Sequence, residues 1–447
     1  MKKERSSEAL RISISGIRGI VGRSFTDHLV REFANAFALL VKRGKVLVAQ
    51  DTRPTGIHFR RLIIKTLRDA GGPVVDIGIA PTPTVLFLVR ALKAKGAIIV
   101  TASHNPSAWN GLKFVGKDGQ FLSQKEINRL LDLRAPQKTP SSPHRRPGNL
   151  FRRSTALKEH LSQILRHLDV RRIRACRFRV AIDPCNGTGA IATAYFLKKL
   201  GCRVLAINDI PNGHFAHTPE PTAENLKQLS RYVCSKRAHV GFAQDPDADR
   251  LAIVTEKGQA LSGEYTLALA VQFILSQQKT PVVVNLSTSR MIETIASRYG
   301  VKVYYSKIGE RHVVEKMQTL KAKIGGEGNG GVIYPRINPA RDSFVGMGLI
   351  LETLARSQKP LSELIEALPR YEMIQKKLPL SKERSRAFLQ ALPRHFKGGK
   401  VNRLDGTRID LKEGWVHART SNTEPVLRLI AEAPSKETAQ KLLSQAF

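Results

Sequence analysis

A short acidic run is the strongest chemical signal in the sequence. In DPDADR (245–250), Asp245, Asp247 and Asp249 alternate with smaller residues, and Arg250 ends the run. Alternating carboxylates in so short a turn can direct three oxygens at one hard cation, and oxygen-only ligands suit Mg²⁺. A solvated acidic turn is the alternative, although three acids this close repel one another. The run therefore predicts a magnesium site, and Arg250 could neutralise the acids or hold a phosphate.

A serine stands between a strand-like apolar segment and a proline in TASHNP (101–106). Pro106 cannot continue a strand ladder, so it predicts a turn that exposes Ser103. A serine hydroxyl is a weak nucleophile unless a base or a metal assists it. His104 beside it, and Lys113 further along the chain, could each manage protons or phosphate charge. Spacing alone supports a nucleophile and an ordinary turn serine equally.

Two further segments carry groups that bind hydroxyls and phosphates. GEGNGG (326–331) lacks the Lys-Ser/Thr ending of a P-loop, but Glu327 and Asn329 are suited to sugar hydroxyls. RTSNTEP (419–425), followed by Arg428, combines cations, hydroxyls, an amide and turn N–H groups. Such a set is a plausible phosphate cradle.

These interpretations have simpler alternatives. The segment 419–425 could be a turn that leads into a helix, and the glycine-rich loop is a weak signal by itself. Near the start, SGIRG (15–19) places Arg18 in a second compact glycine and arginine element. An ordinary glycine turn is the alternative there.

The loops stand at equivalent places in a threefold repeat of strand, polar turn, helix, glycine turn and strand. The three copies begin at 45–54, 179–187 and 281–289. Helices are expected at about 59–70, 190–200 and 291–299. Each copy continues through a buried strand into a polar loop, at 93–106, 236–250 and 321–331. Strands that alternate with helices predict α/β units, whose ligands bind at the carboxyl ends of the strands. Three unrelated surface loops are the alternative.

Composition divides the chain into four expected domains. The segment 134–149 is rich in proline and lacks a periodic apolar pattern, which is typical of a linker. Further boundaries fall near Glu256 and Leu368. The expected domains are 1–150, 151–256, 257–368 and 369–447. The last breaks the repeat, with short strands and a closing helix from Ser435, and is expected to be a smaller α+β domain.

Composition also limits the class of protein. The 73 Lys and Arg against 37 Asp and Glu give a net charge of +36 over 447 residues, and such a field attracts anions. The basic residues are spread along the chain, aromatics make up 6%, and no nucleic-acid motif is recognisable, so a solvated basic surface is favoured over a nucleic-acid partner.

No run of about 18 apolar residues predicts a membrane span, and the basic start lacks the apolar stretch of a signal peptide. Four cysteines without a C-x-x-C pair favour a reduced, cytoplasmic location.

Together the four loops resemble the signature loops of the α-D-phosphohexomutase superfamily. The matching segments are TASHNPSAWNGLKF, DPDADR, GEGNGG and RTSNTEPVLRL, in the family's order and over essentially the whole chain. The resemblance implies a heart-shaped enzyme of the α/β class, with three related α/β domains and a smaller α+β C-terminal domain around a central cleft. It implies an intramolecular phosphotransferase that interconverts hexose 6-phosphate and 1-phosphate through a phosphoserine and a 1,6-bisphosphate. One Mg²⁺ per active site and hexose 1,6-bisphosphate as activator follow from the same resemblance.

The residue types in the loops and the resemblance together give the candidate site residues. The phosphorylated serine and the groups around the transferred phosphate are Ser103, His104, Lys113 and Arg18. The metal ligands are Ser103, through its phosphate, with Asp245, Asp247 and Asp249. The substrate-binding residues are Arg250, Glu310, Glu327, Asn329, Arg419, Ser421, Asn422, Thr423 and Arg428.

The sugar is indicated by two local markers. IGERHV (308–313) resembles a Gly-acid-Arg-aromatic segment of phosphoglucosamine mutases, and Glu310 could pair with an amino group or be a surface acid at a helix start. Many mutases that act on glucose or mannose phosphates have Ser and His where this chain has Asn329 and Gly331. The markers favour glucosamine phosphate, with a phosphomannomutase/phosphoglucomutase as the alternative. A metal-dependent phosphatase and a nucleic-acid-binding protein are remote alternatives, and the expected partners are a phosphosugar and, at most, a second copy of the chain.

Overall fold

The first sheet contains Arg18, and one of its strands leads into the turn with the expected nucleophile Ser103. The computed structural model describes residues 10–134, 146–420 and 426–447, and within these ranges the chain forms four β-sheets. The elements of the first part are β1 (Arg11–Ser13), β2 (Gly16–Ile20), α1 (Asp27–Leu40), β3 (Val46–Gln50), α2 (Gly56–Asp69), β4 (Val74–Ile79), α3 (Thr82–Ala91), β5 (Gly96–Val100), β6 (Trp109–Gly116), α4 (Gln124–Asp132) and β7 (Leu150–Arg152). The sheet order is β1-β2-β6-β5-β3-β4-β7. The boundary expected at residue 150 stays a prediction; the edge strand β7 reaches two residues past it.

The second and third sheets repeat the central pattern of the first. The second part contains α5 (Ala156–Leu165), α6 (Val170–Ala175), β8 (Arg179–Asp183), α7 (Gly189–Lys199), β9 (Arg203–Ala206), α8 (Lys227–Ser235), β10 (Val240–Gln244) and β11 (Leu251–Thr255). The third contains α9 (Gly263–Gln277), β12 (Val282–Asn285), α10 (Met291–Arg298), β13 (Val303–Ser306), α11 (Glu310–Leu320), β14 (Ile324–Glu327), β15 (Gly331–Tyr334), β16 (Asn338–Arg341), α12 (Ser343–Ser357) and α13 (Leu361–Glu366). Their orders are β11-β10-β8-β9 and β13-β12-β14-β15-β16.

The threefold repeat predicted from the sequence is confirmed strand by strand. In each copy the first strand (β3, β8 or β12) pairs in parallel with the strand after its helix (β4, β9 or β13). On its other side it pairs in parallel with a buried strand, β5, β10 or β14. That buried strand then pairs antiparallel with the next one, β6, β11 or β15. The Ser103, Asp245 and Glu327 segments therefore occupy equivalent positions at the carboxyl ends of β5, β10 and β14.

Apolar patterning explains why these strands are internal. β3, β5 and β10 are buried along their whole length, as expected for strands covered by helices on both faces. The glycine turns predicted after the repeat helices are also present, since Gly201 and Gly300 follow α7 and α10 with φ of +76° and +65°. That left-handed conformation suits glycine and ends a helix without steric cost.

One continuous hydrophobic core joins the second and third parts, because α12 packs on α5 and α6 as well as on α9. This shared core fixes the acidic loop after β10 relative to the loop after β14. None of the helices in the described ranges has both the length and the apolar character needed to cross a bilayer.

The last part differs from the repeats, as the sequence predicted. Its elements are β17 (Glu372–Leu378), α14 (Lys382–Ala391), β18 (Lys400–Asn402), β19 (Thr407–Asp410), β20 (Trp415–Thr420), β21 (Leu427–Ala433) and α15 (Lys436–Gln445). The strands form an antiparallel sheet in the order β17-β21-β20-β19-β18. Ser435 caps α15 by accepting the Thr438 N–H, and the helix packs on β21 and β17 around a separate core.

Candidate active site

Ser103 is held in a strained turn after β5. Its φ of +50° lies in the left-handed region, which costs an L-residue roughly 1–2 kcal/mol. The buried Arg53 guanidinium donates to the Ser103 carbonyl at 2.7 Å and to the Asn105 carbonyl at 2.6 Å. The Thr101 hydroxyl accepts the Ser103 N–H at 2.9 Å. The turn is therefore fixed by protein contacts that hold the serine in place.

The Ser103 hydroxyl points at the acidic loop. Its Oγ donates to Asp245 Oδ2 at 3.0 Å and lies 3.4 Å from His104 Nδ1. The positive charge of Arg250, then burial and Arg18, lower the pKa of His104 well below its usual value. The imidazole is therefore neutral at pH 7, and one ring nitrogen can accept a proton.

The three aspartates form a compact buried cluster whose ligand oxygens lie within 4.8 Å of one another. Burial and the charges of Asp249 and Asp247 raise the pKa of Asp245 well above its usual value. Asp247 Oδ1 and Asp249 Oδ1 are buried and have no hydrogen-bond partner among the residues that the structure describes. Both oxygens therefore keep lone pairs that a bound cation could use. The donor set fits a hard divalent ion such as Mg²⁺.

Lys113 reaches the cluster from β6. Its Nζ donates to Asp247 Oδ2 at 2.6 Å and lies 3.2 Å from Asp249 Oδ2. Burial opposes the charged form, but Asp247 and Asp249 outweigh it and raise the pKa of Lys113. Lys113 therefore stays a cation beside the carboxylates.

Two arginines flank the same site. Arg18 lies on β2, because Gly16–Ile20 pairs with β6, so the ordinary glycine turn considered as the alternative is not formed there. Its guanidinium donates to Asn105 Oδ1 at 3.0 Å. Arg250 donates to Glu220 at 3.0 Å, and its Nε lies 3.9 Å from Asp249. Arg18 is therefore tied to the serine turn, and Arg250 joins the end of the acidic loop to Glu220.

Glu327, the last residue of β14, has both carboxylate oxygens engaged. Oε1 accepts the Asn285 amide at 2.8 Å and the Gly309 N–H at 3.0 Å, and Oε2 accepts from Arg341 at 2.9 Å. Asn329 is exposed, and its Oδ1 accepts the Gly331 N–H at 3.2 Å.

Glu310 is buried, so it is not the surface acid considered from the sequence. It begins α11 with an exposed fraction of 6% and accepts from Arg341 Nε at 3.0 Å. Burial outweighs that contact and raises the pKa of Glu310 to about 7. Its carboxyl group can therefore change charge near neutral pH.

Arg419 and Arg428 face each other across β20 and β21. Like charges in directly opposite strand positions repel unless an anion lies between them. Both line a cavity of about 690 Å³, together with Lys307, His312 and Ser15. Its size and charge suit a sugar phosphate. Ser421, Asn422 and Thr423 lie outside the described residues.

Comparison with known proteins identifies the family. Four models describing the phosphoglucomutase/phosphomannomutase domains match residues 12–138 (α/β/α domain I), 158–258 (domain II), 262–371 (domain III) and 376–447 (C-terminal domain). A phosphoglucomutase/phosphomannomutase of Thermococcus kodakarensis is 35% identical over 96% of this chain and 95% of its own length. The chain belongs to the phosphoglucomutase/phosphomannomutase family.

Other similar proteins agree with that assignment. A probable phosphoglucosamine mutase of Methanopyrus kandleri is 33% identical over 96% of this chain and 95% of its own length. A crystal structure of a family protein from Burkholderia thailandensis has a TM-score of 0.84 and 26% identity, covering 97% of this chain and 96% of the other. The protein is thus a hexose phosphate mutase, an intramolecular phosphotransferase of the isomerase class.

The mutase site also contains residues that the sequence analysis missed. Arg53 braces the serine turn, and Arg341 bridges carboxylates of two loops. Three further residues, one in each repeat, stabilise an equivalent turn at the end of the first strand. In each case a side-chain oxygen accepts the backbone N–H of the residue two positions later. These residues are Asp51, Asp183 and Asn285. An acid or amide at one position of all three copies is a signal that the sequence did contain.

Proposed function

We propose that this mutase moves phosphate between O6 and O1 of a hexose through a phosphorylated Ser103. The observation that carries the proposal is the Ser103 hydroxyl itself. It is 1% exposed, held in a left-handed turn, and 3.0 Å from Asp245. In the same cluster, two carboxylate oxygens have no hydrogen-bond partner among the residues that the structure describes. A nucleophile fixed beside a cation site is the arrangement that phosphoryl transfer needs.

Asp245, Asp247 and Asp249 would hold Mg²⁺, with a phosphate oxygen on Ser103 completing the ligands. When bound, the ion supplies positive charge that offsets the charge developing on the transferred phosphoryl group. Lys113 adds a fixed cation on the β6 side of the same cluster. The chain's own contribution is thus position and charge.

The remaining residues near Ser103 would handle protons and orientation. His104 Nδ1, 3.4 Å from the Ser103 hydroxyl, is placed to accept or return a proton. Arg18, tied to Asn105 at 3.0 Å, would hold the transferred phosphate against the serine turn. Arg250 would keep the acidic loop (245–250), which is called the metal loop below, in place through its bond to Glu220.

The sugar and its second phosphate would lie towards the cavity. Three residues are proposed to contact the sugar, namely Glu327, Asn329 and Glu310. The carboxylate of Glu310 would pair with the amino group of glucosamine phosphate. The phosphate that is not transferred would bind Arg419, Arg428, Ser421, Asn422 and Thr423. Phosphorylated Ser103 would give its phosphate to the free hydroxyl of the hexose monophosphate, which forms a hexose 1,6-bisphosphate and leaves a free serine. The bisphosphate would then turn over in the cleft and return its other phosphate to Ser103. Added bisphosphate would act as activator by phosphorylating the resting serine.

Glucosamine 6-phosphate is the proposed substrate. The Methanopyrus relative supports it, and so does the buried Glu310, whose carboxylate could pair with an ammonium group. A phosphomannomutase/phosphoglucomutase is the second candidate, because the Thermococcus relative is named for those activities.

The test is a side-by-side assay of the 6-phosphates of glucosamine, glucose and mannose with Mg²⁺ and trace bisphosphate. The proposal predicts the largest kcat/KM for glucosamine 6-phosphate. Equal values for all three would remove the preference. Net phosphate release without a 1-phosphate product would contradict the mutase mechanism.

Two broader expectations are also proposals. All four cysteines are free thiols, which supports a reduced compartment such as the cytoplasm. A monomer or homodimer is proposed, and light scattering after size-exclusion chromatography would distinguish them.

A further inference from the structure

A short segment made of β16, Asp342 and the first residue of α12 touches the first and second domains from within the third. Within Asn338–Ser343, the Asn338 amide donates to the Pro83 carbonyl at 3.1 Å, in the first domain. The Ser343 hydroxyl donates to the Ala248 carbonyl at 2.6 Å, inside the metal loop. Every residue of this junction segment is buried. It therefore ties the metal loop to the neighbouring domains.

Arg341, in the middle of the junction segment, uses all three guanidinium nitrogens on carboxylates. Nη2 donates to Asp249 at 2.7 Å, Nη1 to Glu327 at 2.9 Å and Nε to Glu310 at 3.0 Å. The arginine is only 8% exposed. One side chain thus joins a metal-loop acid to two acids on the sugar side.

The chemistry of this contact requires arginine. A planar guanidinium presents donors in fixed directions, whereas a lysine ammonium is a single point charge. Without the guanidinium, three buried carboxylates would lose a shared counter-ion and repel one another.

The loop after β14 is shaped to admit this side chain. A Cβ on Gly331 would overlap the Arg341 side chain at Cδ. Glycine at the end of the loop therefore provides the space through which Arg341 reaches Glu327.

We propose that Arg341 is a positioning residue that fixes Glu310 and Glu327 relative to Asp249, and so aligns the sugar with the phosphoryl group. This inference rests on the proposed function of the same site. Arg341 sets the geometry of the acids that bind the sugar. Its loss is therefore expected to weaken sugar binding as well as turnover.

The test compares Arg341→Gln and Arg341→Lys with Arg356→Gln. Arg356 is a matched control on α12 that pairs with Glu352 at 2.8 Å, away from the site. Arg341→Gln should lower kcat/KM about 100-fold, with a raised KM, because a displacement of about 1 Å can cost that much. Arg341→Lys keeps the positive charge but cannot contact all three carboxylates. Its kcat/KM should be about tenfold higher than that of Arg341→Gln. Arg356→Gln should match the parent.

A second readout is independent of catalysis. Calorimetric titration with glucosamine 6-phosphate in EDTA should show about tenfold weaker binding to Arg341→Gln than to Arg356→Gln. Unchanged affinity and KM in a folded Arg341→Gln protein would overturn the inference. A loss of activity that only follows the unfolded fraction, with KM unchanged, would also overturn it.

If Arg341→Gln does not fold, Arg341→Lys decides the question, since a parental KM in that variant would contradict positioning. If the parent protein has no mutase activity on any hexose 6-phosphate, the proposed function fails. The titration would then still test whether Arg341 supports sugar phosphate binding.

Discussion

The acidic loop after β10 and the glycine-rich segment at the end of β14 occupy the same place in two copies of one repeat. Their carboxylates differ in whether protein donors reach every oxygen. Asp247 and Asp249 each keep one buried oxygen without a hydrogen-bond partner among the described residues. Glu327 has both oxygens held by protein donors.

The difference shows that one scaffold can present a carboxylate in two ways. A buried carboxylate oxygen that no protein donor reaches keeps its lone pairs free for a cation. A carboxylate whose oxygens are fixed by donors keeps its orientation, and can present remaining lone pairs to a sugar. The two places share a position in the repeat, whereas the donors around them differ.

The largest effect should come from the loop with unsatisfied oxygens. Asp249→Asn removes one charge from the cluster, and activity should fall by about 1,000-fold because metal-supported charge stabilisation is lost. Initial rates over a range of Mg²⁺ concentrations measure this. Asp69→Asn, in an exposed pair with Lys65, is the control and should leave rates unchanged. An Asp249→Asn protein with parental rates would rule out the metal assignment.

A smaller effect is expected from the loop with satisfied oxygens. Glu327→Gln keeps the shape but weakens the charged contact to Arg341, so kcat/KM should fall about 10- to 100-fold, mostly through KM. The Mg²⁺ dependence should stay as in the parent protein. A change in Mg²⁺ dependence as large as that of Asp249→Asn would erase the distinction between the two loops.

The smallest effect should be a pH dependence of sugar preference. Burial raises the pKa of Glu310 to about 7, so its carboxyl is charged above that pH and neutral below it. The preference for glucosamine over glucose 6-phosphate should therefore fall about fivefold as pH falls through 7. Competition assays from pH 6 to 8 measure the ratio. In Glu310→Gln the preference should no longer fall as the pH is lowered through 7. If the same fall persists in the variant, another group causes it.

The sequence was sufficient for the scaffold and for the local motifs. The repeat was readable because strands such as β3 and β10 are short apolar runs between polar turns. The acidic run was readable because its ligands lie within five residues of one chain segment. The turns at Asp51, Asp183 and Asn285 were equally local and could have been found by aligning the three copies.

Other parts of the site depend on distant contacts. Arg53 braces a turn that begins about fifty residues later, and Arg341 meets an acid 92 positions away. Nothing near Arg341 in sequence distinguishes it from the many other basic residues of this chain. Its role depends on how β16 packs against the metal loop, which only the folded structure supplies.

The most direct test of the central claim is the intact mass of the protein purified with and without the Ser103→Ala substitution. The parent protein, after incubation with hexose 1,6-bisphosphate, should carry a phosphate-sized excess that the variant lacks, and the variant should have lost mutase activity. A variant that turns over as fast as the parent, or an excess that survives the substitution, would contradict the phosphoserine mechanism.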